Sequence, residues 1–183
     1  MLLTFVVGFA FTGIESTFGL WAQARFAWQP RDVGICFGIT GAVSAACQFL
    51  ITGFLSRRFG EGNMLAVGMA GTVVCIALQP LSDGHAVTIA LMALMALSQS
   101  VAFPNSGALM SRAIDEEHQG QIMGLNNAVG ASARFIGPTA AAMVFSGISV
   151  NAPFVMGALV VAPAIILALS AGRAAARITV RPG

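Results

Sequence analysis

Residues 33–55 read VGICFGITGAVSAACQFLITGFL, 23 residues without one charged side chain. At about 1.5 Å per residue, a helix of that length spans roughly 34 Å, enough to cross the hydrocarbon core of a bilayer with some tilt. The run is followed by SRRFGEGN (56–63), after which the chain turns apolar again. Five other runs share its character: residues 2–22, 64–81, 87–110, 121–145 and 153–170. All come within a few residues of the length of about 20 that a membrane helix needs. The breaks between them are short, and each contains turn or breaker residues, as in QARFAWQPRD (23–32), SDGHA (82–86) and SRAIDEEHQG (111–120). None could hold a soluble domain. Strand alternation is absent, which argues against a β-barrel. The first run lacks a positive leader and is too long for a signal peptide, so it is expected to be a span. The sequence therefore predicts an all-α membrane protein with six transmembrane helices.

Composition agrees. Hydrophobic residues make up 57% of the 183 and charged residues 9%, with a mean hydropathy of +0.84. Soluble domains carry about 25% charged residues, so a soluble domain and a disordered chain are both excluded. The net charge of +2 comes from nine arginines and seven acids, too few and too scattered for a phosphate-binding patch, so no nucleic acid is expected. Cys36, Cys47 and Cys75 lie in apolar runs without a C-x-x-C pair and read as buried thiols. His85 and His118 are isolated, no nucleophile stands with a base, and no phosphate loop occurs. The chain thus reads as a non-enzyme with no metal and no cofactor. Arginine also sets the orientation. With the N-terminus inside, Arg57, Arg58, Arg112, Arg173, Arg177 and Arg181 are cytoplasmic, while only Arg25 and Arg31 are outside. Both termini are then expected in the cytoplasm.

Polar residues are unevenly shared. The third run holds only Thr72 and Gln79, and the sixth is apolar from 153 to 169. The first carries Thr12, Glu15, Ser16 and Thr17; the second Thr40, Ser44, Gln48 and Thr52. The fourth carries Ser98, Gln99, Ser100, Asn105 and Ser106; the fifth Asn126, Asn127, Ser132, Arg134 and Thr139. Polar groups facing lipid are costly, so these four spans should face protein or water, and the third and sixth should lie outermost. The order polar, polar, apolar occurs twice, the hydropathy echo of a 3+3 inverted repeat. Gly34/Gly38 and Gly120/Gly124 have the G-x-x-x-G spacing that lets helices approach. Trp21 and Trp28, at the end of the first run, read as interface anchors.

Glu15 is the one carboxylate inside a run. Phe11, Glu15 and Phe18 share a helical face by spacing. Such an acid either carries a proton or binds a cation in an aromatic-lined cavity, or it is a structural hydrogen-bond partner between helices. Arg134, which shares a face with Asn127, is either an anion contact or a structural tether. Gln99 and Phe103, with Asn105 beside them, either line a cavity or pair between helices.

At this point the residues resemble a known family. GFLSRRFGE (53–61) resembles the cytoplasmic signature loop of the major facilitator superfamily, with Arg57 in place of its acid and Glu61 in place of its later basic residue. That charge-swapped form is similar to the copy between the eighth and ninth of the family's twelve helices. SRAIDEEHQGQ (111–121) with Gly124 is similar to the loop between helices ten and eleven of drug:proton antiporters, the tetracycline-efflux branch above all. Arg25, Phe26 and Trp28, and the pair Gly137–Pro138, fit the same frame. The resemblance implies that residues 1–172 form the C-terminal six-helix half, with 173–183 a basic cytoplasmic tail. It implies a secondary active transporter in a bacterial inner membrane, exporting drug-like small molecules by proton-coupled alternating access. The first and fourth spans would then line the cavity, and the second and fifth would form the seam with a second bundle. Gly53, Arg57, Arg58, Gly60 and Glu61 would act as a conformational latch, opposite Arg112, Asp115, Glu116, Glu117 and Gly120. The partners implied are the bilayer, a small substrate, protons, and either the missing N-terminal half or a second copy in a homodimer. A non-transporting assembly or sensor module is the alternative.

Overall fold

The computed structural model describes residues 1–112 and 116–164, and their side chains except those of 51, 52, 57, 61, 108–112, 116 and 117. Regular structure among them is entirely helical. Helix α1 (Leu2–Phe26) ends where Ala27 takes a left-handed conformation, its N–H reaching back to the last carbonyls. Pro30 opens α2 (Pro30–Cys47), and the Asp32 carboxylate accepts from the Gln29 N–H, closing a capping box. A π-helical turn over Gln48–Thr52 carries the second span into α3 (Gly53–Phe59). Gly60, at φ 82°, separates it from α4 (Glu61–Leu78); a β-carbon there would be strained. The remaining helices are α5 (His85–Arg112), α6 (Glu116–Gly147) and α7 (Ala152–Ala164). Pro104 and Pro138 lie inside α5 and α6, which run on through them.

Among the described residues, five helical stretches are long and apolar enough to cross a membrane, and each falls on one of the first five predicted runs. The described part of α7 is shorter, and residues 165–170 of the sixth run lie outside the described residues, as does the tail. The second break is also narrower than the sequence implies, since the chain stays helical to Phe59.

Helix α1 packs along α6, α4 along α5, and α2 along α5. The α1–α6 pair is parallel: Gly8 meets Ala133, and Gly13 meets Gly137 and Ala141. A β-carbon on Gly137 would fall 2.5 Å from the Phe9 carbonyl oxygen, so only glycine admits this approach. Gly68 faces Ser98 and Ala102 in the same way between α4 and α5. These are not the glycines the spacing singles out. Gly34, Gly38, Gly120 and Gly124 all face open space. The motif marks where a close approach is possible, and among the described residues nothing sits opposite to use it.

One further reading needs correcting, and another needs refining. Trp21 (0% exposed) and Trp28 (3%) are core residues rather than interface anchors. They pack with Phe18, Phe26 and Phe154 at ring separations of 4.9 to 6.3 Å. The turn after α1 folds Trp28 back over the bundle, and Trp21 Nε1 donates to Asn151 Oδ1 at 2.8 Å. The third span, expected outermost, buries half of its length, the largest share of the five. Its other side is an apolar stripe of Val67, Val74, Leu78 and Leu81, which suits lipid. A helix poor in polar groups can therefore be packed on one face and lipid-facing on the other.

Candidate functional site

The predicted polar residues fall into three places. The first is a small, partly open cavity of about 30 Å³ between α1, α4 and α5, lined by Gln99 and Phe103 of α5, Thr72 and Met69 of α4, and Thr4 and Val7 of α1, among others. Spacing on one helix brought Gln99 and Phe103 together, and the fold adds the facing walls. Asn105 is not among the lining residues; it is buried and its Nδ2 donates to the Val101 carbonyl of its own helix at 2.7 Å. Thr4 and Thr72 were not singled out by sequence reasoning. The signal available was that Thr72 is one of only two polar residues in its run.

The second place is a face of α1 and α6 that the described residues leave uncovered. Glu15 and Ser16 are exposed on α1, and Asn127, Ser132, Arg134 and Thr139 on α6. Phe11 and Phe18 do not enclose Glu15: Phe18 is fully buried in the aromatic core, and Phe11 is partly buried against it. Arg134 and Glu15 are not brought together either. Gly13 is level with Gly137 and Ala141, and Ala133 with Gly8. Glu15 therefore stands about 10 Å further along the axis than Arg134, at 1.5 Å per residue. The Arg134 guanidinium turns back toward Gly130, beside Thr4. Helical side chains lean toward the N-terminus in this way. Thr4 in turn donates to Asn126 Oδ1 at 2.7 Å, a polar tie between α1 and α6.

The third place is the turn between α3 and α4. Gly53 faces open space, and Gly60 supplies the left-handed conformation. Arg58 is exposed, its guanidinium 6.0 Å from the Phe59 ring centroid. The side chains of Arg57 and Glu61 lie outside the described residues, as do those of Arg112, Glu116 and Glu117 and the whole of Asp115. Gly120 is exposed near the start of α6.

Chemically, the cavity offers a neutral amide and hydroxyls, while the uncovered face offers one anion and one cation separated along the helix axis. With this arrangement in view, the sequence profile of the Major Facilitator Superfamily matches residues 1–180. The class C tetracycline resistance protein of Escherichia coli is 28% identical over 127 residues, 69% of this chain and 32% of that protein. Multidrug resistance protein 2 of Bacillus subtilis is 21% identical over 159 residues, 87% of this chain and 39% of that protein. The quinolone resistance protein NorA of Staphylococcus aureus is 23% identical over 155 residues, 85% of this chain and 39% of that protein. The chain thus spans between 32% and 39% of the length of these relatives.

Proposed function

Because the chain belongs to the Major Facilitator Superfamily, we propose that it is a six-helix bundle, built as a 3+3 inverted repeat, of a secondary active transporter that exports drug-like small molecules in exchange for protons. It is a multi-pass membrane protein of a transport family, not an enzyme. The observation that carries the proposal is the uncovered polar face. Glu15, Asn127, Ser132, Arg134 and Thr139 lie on helices long enough to cross a bilayer, yet they are exposed, uncovered by the described residues. Facing lipid, such groups would be strongly disfavoured, so they border water, a substrate or a second bundle. The second and fifth spans are also the least buried of the five, which suits a seam. The open Gly34/Gly38 and Gly120/Gly124 pairs lie on those same spans.

In this reading the second bundle is an N-terminal half or another copy of the chain, and the two rock to give alternating access. Glu15 takes up and releases the proton or binds a cationic substrate. Asn127 and Arg134 border the central cavity, and Gln99 and Phe103 belong to the helix that lines it opposite α1. The turn carrying Arg57, Arg58 and Glu61 latches against the segment carrying Asp115, Glu116 and Glu117. Both termini are cytoplasmic in a bacterial inner membrane, where the arginine bias places them.

The test is accumulation of a fluorescent cationic dye in cells expressing the complete reading frame. Low accumulation that rises on adding a proton uncoupler is expected, and Glu15→Gln should bind dye but accumulate it as uncoupled cells do. If expressing cells match vector controls with and without uncoupler, transport is refuted. If Glu15→Gln exports normally with unchanged pH dependence, the role of Glu15 is refuted.

A further inference from the structure

Gln99 is 6% exposed, and its Oε1 and Nε2 have no hydrogen-bond partner among the described residues. Both atoms belong to a side chain in the wall of the cavity between α1, α4 and α5. A buried amide left unpaired is penalised, and interiors ordinarily satisfy such groups with protein atoms or ordered water. The cavity measures about 30 Å³. A water needs roughly 10–15 Å³ measured in this way, so there is room for about two. Acceptors stand ready: the Thr72 hydroxyl donates to the Gly68 carbonyl at 2.9 Å, and that of Thr4 to Asn126 at 2.7 Å. Each keeps lone pairs free to accept a further bond. Leu3, Val7, Met69 and Val161 complete an apolar wall, and no charged side chain is among the described lining residues. A guest must therefore be small, uncharged, and both donor and acceptor.

We propose that Gln99 holds one or two water molecules in this cavity, bridging α5 to the hydroxyls of α4 and α1. The proposal does not depend on the transport reading. It assigns Gln99 a resident neutral ligand between α1, α4 and α5, in a cavity whose described lining includes neither Glu15 nor Arg134. It also makes the junction of these three helices a hydrated joint, in contrast to the tight Gly68–Ser98 contact beside it.

Met69 lines the cavity at 2% exposure, whereas Met92 and Met95, at 4% each, sit in the aromatic core. This gives an internal control. The full chain in lipid nanodiscs, in water enriched in oxygen-18, is exposed to millisecond X-ray pulses, and sulfoxide formation is read by mass spectrometry. Radicals formed from bound water should oxidise Met69 several-fold faster than Met92 and Met95. Gln99→Leu should bring Met69 down to their level, and Thr72→Val should lower it part of the way. Thr72→Val also serves as the test if Gln99→Leu does not fold by circular dichroism. Equal oxidation of the three methionines in the unaltered chain would overturn the proposal. So would Met69 oxidation that is unmoved by whichever of the two substitutions folds.

Discussion

Trp21 and Asn151 meet across 130 positions of sequence, and the bond between them explains why a tryptophan at a helix end is not an anchor here. Residue type alone allows either role, because an indole is apolar over its rings and polar at one atom. What decides is the partner, and a partner so distant leaves no trace in local spacing. Glu15 shows the same limit. Its place within a span was legible, but the supposed aromatic lining was not, since Phe18 lies one step round the helix and turns inward. The cysteines were legible, because small apolar thiols in apolar runs are buried almost wherever they fall. Cys36, Cys47 and Cys75 are all buried. A maleimide added to the folded chain should accordingly leave all three unmodified, and label them once the chain is denatured in sodium dodecyl sulfate. Labelling of the native chain would show the bundle to be looser than described.

For the helices, existence and type could be read from the sequence, and contact partners could not. Length and hydropathy alone place the first five spans within a few residues. Which glycine serves which contact depends on the rotation of each helix about its axis, and neither hydropathy nor the G-x-x-x-G motif reports that. The fold distinguishes two kinds of glycine, and substitution should separate them. Gly137→Ala puts a methyl against the Phe9 carbonyl and the Thr12 hydroxyl. Overpacking of this kind costs about 1–3 kcal/mol. Gly38→Ala adds a methyl with no neighbour within 4 Å among the described residues. Thermal unfolding of the isolated chain in detergent should therefore shift down by several degrees for Gly137→Ala and stay put for Gly38→Ala. Equal shifts would mean that the α1–α6 contact is not as close as described.

For the whole molecule, the pattern of exposure divides the surface. The outer sides of α4 and α7 show Val67, Val74, Val155 and Leu159, while α1 and α6 show Glu15, Ser16, Asn127, Ser132, Arg134 and Thr139 beside apolar residues such as Phe135 and Met143. This division was legible, because counting polar residues per span already separates the two groups. The cavity at Gln99 was legible only on one side, since its other walls come from helices that are distant in sequence. With the native thiols buried, single cysteines can map the division in membranes. Ser132→Cys should react with a membrane-impermeant maleimide that leaves Leu159→Cys untouched. Reaction of both, or of Leu159→Cys alone, would reverse the assignment of wet and lipid-facing sides.

The pairing of helices also dictates an order of assembly. The α4–α5 hairpin joins neighbours through a short turn and can close as soon as both have left the ribosome. Helix α1 has its main neighbour in α6, which is separated from it by α2 to α5. During synthesis, then, the first helix waits in the bilayer with its glycine groove empty while the chain between them is threaded. A nascent chain halted after Arg112 already contains its hairpin, and α1 can rest against it, but the helix that fills the groove of Gly8 and Gly13 has yet to be made.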